Sequence, residues 1–192
     1  YSAMTLGITT NPDNPNSMRI AAAYTGDEHT LRTLGTKLIA GRNFSASDIR
    51  EMDGVTGQRP PIPGLLITRD LARKLAPKGQ ILGREVTIYP FLLRAPIIGI
   101  LDRLQVPFVD GADDKIGNMV EDSMILPYRY VGDAYWYVVR VKPGVLDAAM
   151  RAAPGVLAGV SRARIIEKVR ALSQARRDIY RANRTMVQML VV

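Results

Sequence analysis

The 192 residues carry 26 Lys and Arg against 18 Asp and Glu, a net charge of +8, with 47% hydrophobic and 23% charged residues; that balance excludes an intrinsically disordered chain and one embedded throughout in a membrane. The absence of cysteine removes thiol catalysis, cysteine-rich zinc sites and disulfides together, and a single histidine, His29, leaves nothing for a multi-histidine metal site. A chain of this size buries roughly 70% of its unfolded surface, enough for a core without metal or crosslink.

Taken in order, Tyr1 to Thr10 alternates loosely and runs into the turn-rich NPDNPNS, after which Arg19 to Tyr24 (RIAAAY) reads as a short buried strand. Thr25 and Glu28 stand at capping-box spacing. A helix is therefore expected there, with Leu31, Leu34 and Leu38 on one face, interrupted at Gly35 and ended at Gly41. His29 falls in its first turn and, having no second His or Cys beside it, reads as exposed helix surface rather than a metal ligand. Arg42 follows Gly41 directly, and an internal ion pair with Asp48 is the expected use of its charge.

Residues 52–64 (MDGVTGQRPPIPG) form a loop by composition. Leu65 to Ile67 then reads as a buried strand, Thr68 as an N-cap, and Arg69 to Leu75 as a helix with Leu71 and Leu75 on one face, stopped by Pro77 and Gly79. Glu85 to Ile88 and Pro96 to Leu101 fit two antiparallel strands, and the isolated Gly99 marks a bulge or a close backbone approach.

Between Val106 and Asp122 the chain is loop-like. Asp110, Asp113 and Asp114 invite a calcium reading, but Gly111 and Lys115 do not fit an EF-hand loop and no Glu stands at its twelfth position, so a solvated acidic loop is expected. Nor does any neighbouring feature separate the pKa values of Asp113 and Asp114 for acid and base work.

Met124 to Tyr128 and Tyr135 to Val141 read as strands around a Gly132-Asp133 turn, with Tyr135, Tyr137 and Val139 on one face. Beside Arg129 and Arg140 these aromatics resemble a base-stacking platform, yet they lack an RNP-like pattern, and core plus sheet surface is the expectation. Val145 to Leu157 follows as a helix that Pro154 and Gly155 are placed to end, and Ala163 to Val169 as a strand, making a βαβ-like unit over residues 136–169; Arg19 to Leu38 is similar to the first part of another. Arg170 onward is the longest predicted helix, with a narrow stripe of Leu172, Ala175, Ile179, Ala182, Met186 and Met189. From Arg162 to Arg184 eight Arg and Lys face only Glu167 and Asp178, a concentration that by itself suggests nucleic acid or an anionic membrane as partner. The apolar tail MVQMLVV reads either as a cap on the core or as the first turns of a longer hydrophobic helix; no signal peptide and no run of about 20 apolar residues is visible.

The order Leu34-Gly35, Ala40-Gly41-Arg42, Phe44, Asp48 closely resembles the start of the periplasmic core domain of FtsX-type ABC transporter permeases, the MacB-like family. LLITRDLARKLAP, Leu82-Gly83-Arg84, Glu85 to Ile88 and PIIGIL continue the resemblance, and ARRDIYRANRTMVQML is similar to the segment by which family members enter their second transmembrane helix. Two departures are the long 52–64 loop and Ile81, which stands where many members have Pro.

The resemblance implies an α+β fold: a βαβ-containing porter-like lobe formed by both chain ends (1–45 plus 125–192) and a smaller inserted mixed α/β lobe (46–124), with Tyr1 and Val192 close together near the membrane. It implies a non-catalytic domain, periplasmic or extracellular, of an inner-membrane permease, which couples ATP-driven motion to substrate export or release or to a periplasmic partner. No catalytic, cofactor or metal residue is assigned, and no phosphate-binding loop of the G-x-x-x-x-G-K-[ST] type occurs. The implied partners are a separate ABC ATPase, a second permease subunit in a homodimer or paralogous heterodimer, a periplasmic adaptor, and the membrane at the chain ends; nucleic acid is not among them. The alternative is a free-standing basic module that binds nucleic acid or another ligand. Basic residues beside a membrane segment usually mark the cytoplasmic side; placed outside, those of 162–184 would meet lipid phosphates or a neighbouring subunit.

Overall fold

A computed structural model describes residues 4–77, 79–104, 121–132, 135–160, 165–174 and 177. The chain divides into two units, Tyr1–Val138 and Val139–Val192.

The first unit is built on β1 (Met4–Thr9), β2 (Arg19–Thr25), β3 (Leu38–Gly41), β5 (Leu65–Thr68), β6 (Glu85–Tyr89), β7 (Leu93–Leu101) and β8 (Ser123–Leu126), which hydrogen-bond in the order β3-β7-β5-β8-β2-β1-β6. A further pairing of β6 with the first half of β7, from Ile88 opposite Leu93 to Glu85 opposite Pro96, returns the sheet to itself. Six strands thus close into a ring, and β3 lies against the second half of β7. Pairing is mixed: β2 with β8 and β5 with β7 are parallel, and the remaining contacts are antiparallel. Closure leaves the ring without an open edge of unpaired backbone groups. The mixed α/β class expected from sequence holds. Strands on both sides of the expected lobe boundaries at 45/46 and 124/125 share this one sheet.

The two-residue period of the strands decides what fills the ring. Leu6 and Ile8, Ala21 and Ala23, Leu65 and Ile67, Val86 and Ile88, Ala95 and Ile97, and Met124 and Leu126 belong to one buried cluster, joined by Leu71, Ala72 and Leu75 of α2 (Arg69–Leu75), which packs on β2, β5 and β7. The alternate residues Ala22, Tyr24, Leu66 and Ile125 form a second cluster on the opposite face with Leu31, Phe44, Leu101 and Leu104. Each fully buried Leu or Ile contributes about 1.5–3 kcal/mol relative to exposure.

On β7 the alternation changes phase. Leu65 pairs with Ile97 but Leu66 with Gly99, so Ile98 is an extra residue; beyond it Ile100 joins the first cluster and Leu101 the second. Gly99 faces Gly41, and a Cβ on Gly99 would sit 2.6 Å from the Arg42 carbonyl oxygen. The bulge and the close approach anticipated for this glycine are both present.

Four further expectations are corrected. The helix expected from Thr25 to Gly41 is only α1 (Thr30–Leu34), because Gly35 adopts φ 72° and closes it, and Leu38 to Gly41 becomes β3. Its start is set by Asp27, whose Oδ1 accepts from the His29 amide (3.0 Å) and Thr30 Oγ1 (3.0 Å), rather than by Thr25. Met124 to Tyr128 is not one strand: Pro127, lacking an amide hydrogen, separates β8 from β9 (Tyr128–Val131), and β9 pairs in parallel with β4 (Arg50–Asp53). Residues 135–141 form no strand.

In the second unit α3 (Leu146–Val160) runs through Pro154 and Gly155 rather than ending there, and residues 165–170 have no strand. The described residues therefore do not form the expected βαβ unit at 136–169. Most of the helix expected from Arg170, and both chain termini, lie outside the described residues.

Candidate functional site

Two polar constructions stand out in the first unit. One is the junction after β3, where Gly41 turns the chain at φ 75° and presents Arg42 to Asp48. Arg42 Nη1 donates to Asp48 Oδ2 at 2.6 Å and Nη2 to Oδ1 at 3.2 Å, and the same carboxylate accepts from the Ser45 amide (2.8 Å) and Ser45 Oγ (2.7 Å). Asp48 is buried, yet the Arg42 hydrogen bond, outweighing burial and helped by Ser45, holds its carboxyl far below the usual carboxylate range. The expected ion pair is present, and Ser45 and Asp48 close a capping box around the turn Ala46–Asp48. With four hydrogen bonds accepted by one buried carboxylate, the pair is a brace for the β3–β7 edge.

The other lies where β5 and β7 end and β8 begins. Three strand junctions each carry a charged dipeptide: Arg69-Asp70 after β5, Asp102-Arg103 after β7, Glu121-Asp122 before β8. Arg69 Nη2 lies 2.5 Å from Asp102 Oδ1, Arg103 Nε 2.8 Å from Glu121 Oε1, Lys74 Nζ 2.5 Å from Asp122 Oδ2, and Arg73 Nη1 3.4 Å from Asp70 Oδ1. Thr68 Oγ1 donates to the Glu121 carbonyl (2.6 Å) and accepts from the Ser123 amide (3.1 Å), while Ser123 Oγ donates to the Leu104 carbonyl (2.8 Å). Arg69, Asp70, Arg73, Asp102, Arg103 and Glu121 line an open cleft of about 530 Å³.

A hydrogen bond that the protonated Glu121 carboxyl donates to the Asp70 carboxylate, reinforced by desolvation, pushes Glu121 above the usual range against the opposing Arg103. Burial does the same to Asp122 and outweighs Lys74, and Asp122 Oδ1 has no hydrogen-bond partner. Four cations and four carboxylates balance. The arrangement therefore ties Asp102-Arg103 and Glu121-Asp122 to each other and to α2 as an ionic clasp. It places no nucleophile beside a base, the geometry that covalent or hydrolytic chemistry needs.

His29 is exposed, its Nε2 3.6 Å from Glu28 Oε1, as expected of helix surface. Asp110, Asp113 and Asp114 lie outside the described residues, and among the described residues no group of His, Cys, Asp or Glu is placed to hold a metal ion. Tyr135 stacks on Tyr137 at 6.4 Å and meets Tyr130 edge-on at 6.4 Å, so these aromatics engage one another. The clasp was missed from sequence; its signal was the recurrence of an acid–base or acid–acid dipeptide at each strand end.

The family model described as the MacB-like periplasmic core domain matches residues 2–154. The chain belongs to this family. It is accordingly a periplasmic or extracellular domain of the MacB/FtsX-like ABC transporter permease type. The periplasmic region of MacB from Actinobacillus actinomycetemcomitans is similar at 12% identity and a TM-score of 0.50, covering 83% of this chain and 64% of that one, and supports the fold. The extracellular domain of the noncanonic ABC-type transporter YknZ from Gram-positive bacteria is 15% identical (TM-score 0.41; 66% of this chain, 51% of that one). A domain of a Porphyromonas gingivalis protein described as a permease is 18% identical (TM-score 0.46; 87% and 68%). The chain thus spans between 51% and 68% of the length of these relatives. No curated protein matches it. Among the described residues no helix is long and apolar enough to cross a membrane.

Proposed function

We propose that this domain relays ATP-driven motion of a membrane permease to a substrate or partner outside the membrane, moving as a stiff body while nucleotide hydrolysis takes place on a separate ATPase subunit or domain. The supporting observation is the closed ring. A sheet whose six strands return on themselves around a continuous apolar filling resists shear, so displacement at one end reaches the other undiminished. The Arg42–Asp48 brace and the ionic clasp fasten the loops that leave the ring. In this reading the two chain ends are membrane-proximal, and a second permease subunit and an adaptor are the partners through which the motion is delivered.

Locking the ring tests the idea, and residues 1–192 contribute no cysteine that would compete with an introduced pair. Thr9 and Thr87 face one another across the β1–β6 seam. In the intact transporter, Thr9→Cys with Thr87→Cys, oxidised to a disulfide, should leave transport and coupled ATP hydrolysis at the level of the reduced protein. Transport that stops on oxidation and returns on reduction would mean the ring must open, and the rigid-relay reading would be wrong.

A further inference from the structure

We infer that the tip of the β6–β7 hairpin is a docking knob for a partner protein that offers an apolar pocket rimmed by carboxylates. The inference rests on the relay reading in that delivered motion needs a contact, and it names where that contact lies. The first observation is what the tip exposes. Pro90, Phe91 and Leu92 join β6 to β7, and Phe91 is 39% and Leu92 64% exposed. Met18 (40% exposed) extends the patch: it lies over Gly7, the β1 residue paired with Tyr89, where a Cβ would come 2.7 Å from Met18 Sδ and 3.4 Å from Tyr89 Cβ. Leu92 holds φ 52°, a backbone conformation that bulky residues rarely adopt. Glycine would make this turn without strain, so a large apolar side chain held in solvent there is better explained by contact than by folding.

The second observation is the charge beside it. The Arg59 guanidinium lies 3.7 Å from the centroid of the Phe91 ring, and its Nη1 donates to the Gly57 carbonyl at 2.7 Å, so ring and cation are held in place before any partner arrives. Arg94, two residues beyond Leu92 and opposite Thr87, is exposed. Neither arginine has a carboxylate partner among the described residues, whereas Arg42, Arg69, Arg73, Lys74 and Arg103 each have one. Two unanswered guanidiniums flanking a projecting Phe-Leu pair fit a pocket that takes the leucine and sets Asp or Glu at its rim. Other occupants fit less well. The cleft at the ends of β5 and β7 is lined by charged side chains throughout, so a second copy offers Leu92 no apolar seat there. Two cations and one leucine fall short of a bilayer anchor, since even a whole myristoyl chain binds membranes only marginally.

The test is selection of a phage-displayed random peptide library on the full 192-residue chain, counter-selected against Leu92→Gly, which removes the side chain and suits the positive φ. Surviving peptides should carry Asp or Glu beside Leu, Phe or Trp. A synthetic peptide of the consensus, measured by calorimetry, should bind wild type at least about tenfold more tightly than Leu92→Gly and roughly tenfold more tightly than Arg59→Gln with Arg94→Gln. Ile39→Asp, at the far end of β7 and as exposed as Phe91, should change the affinity by less than about twofold. Circular dichroism of each variant establishes that folding is retained. No nucleotide or permease enters this measurement, so it can fail while the locked ring still transports, and succeed while the locked ring does not. A library with no survivor of the counter-selection, a consensus without acidic residues, unchanged affinity in the Arg59/Arg94 pair, or an equal loss from Ile39→Asp would each overturn the assignment. So would self-association of the chain, or its sedimentation with phosphatidylglycerol vesicles, that Leu92→Gly abolishes.

Discussion

Replacing Arg42 with Ala strips the two guanidinium hydrogen bonds from a buried carboxylate and leaves Asp48 with only the Ser45 amide and hydroxyl. A hydrogen bond to a charged group contributes about 1.5–3 kcal/mol, and breaking a fully buried pair costs about 3–5 kcal/mol because one charge is stranded. The Arg42 side chain is 53% exposed while that of Asp48 is 8% exposed. Water screens the first partner and can follow into the space the arginine leaves, so the net loss is set near the lower bound, about 2 kcal/mol. For a chain of this size that lowers the melting temperature by roughly 4–8 °C. Urea unfolding followed by circular dichroism at pH 7 measures it directly.

The pH dependence supplies a second reading of the same pair. Asp48 titrates lower in the folded than in the unfolded state, so its stabilisation is complete above the ordinary carboxylate pKa of about 4 and is lost as pH falls through the depressed folded value. Wild type should therefore lose stability more steeply below about pH 4 than Arg42→Ala does. Arg42→Lys, which keeps the charge but not the two-pronged geometry, should fall between them. An Arg42→Ala protein within about 0.5 kcal/mol of wild type at pH 7, with an unchanged acid slope, would refute the claim that this pair braces the β3–β7 edge.

Asp122 has the opposite sign: burial raises its folded pKa, so stability present at low pH declines as pH rises through the raised value, and Asp122→Asn should gain on wild type as pH rises above about 4 in the same unfolding assay. Gly99→Ala drives a Cβ against the Arg42 carbonyl and should cost about 3 kcal/mol or prevent folding, whereas Gly79→Ala, with nothing within 4 Å, should stay within about 0.5 kcal/mol. Tyr128 Oη donates to the Pro60 carbonyl at 2.6 Å and burial lifts its phenol up to about 12. Tyr128→Phe should lose about 1 kcal/mol, and ultraviolet titration of wild type should show a late-ionising phase that is reduced by one tyrosine in the variant.

The elements legible in the sequence were those whose local pattern and tertiary use agree. RIAAAY, LLIT, the helix from Arg69 to Leu75, and the pair around Gly99 all emerged where their apolar periods placed them. Leu38 to Gly41 was misread because Leu31, Leu34 and Leu38 keep helical spacing across Gly35, while the decisive fact, pairing with β7 some 60 residues on, is a tertiary contact. The same limit hid the ionic clasp. Each of its dipeptides looks like ordinary loop polarity until β5, β7 and β8 bring the three strand ends together. Arg42 and Asp48 were readable because they lie six residues apart around the Ser45-capped turn, where local geometry alone brings them within reach.

Charge distribution constrains how such a domain meets anything else. In residues 1–138 the strongly placed charges answer one another: Asp48 with Arg42, Asp102 with Arg69, Glu121 with Arg103, Asp122 with Lys74. A unit of zero net charge, with 15 Lys and Arg against 15 Asp and Glu, exerts little pull beyond a Debye length of about 8 Å. The +8 excess of the chain lies in residues 139–192, so exchanging charge there should alter the rate of association with charged partners far more than exchanging it in residues 1–138.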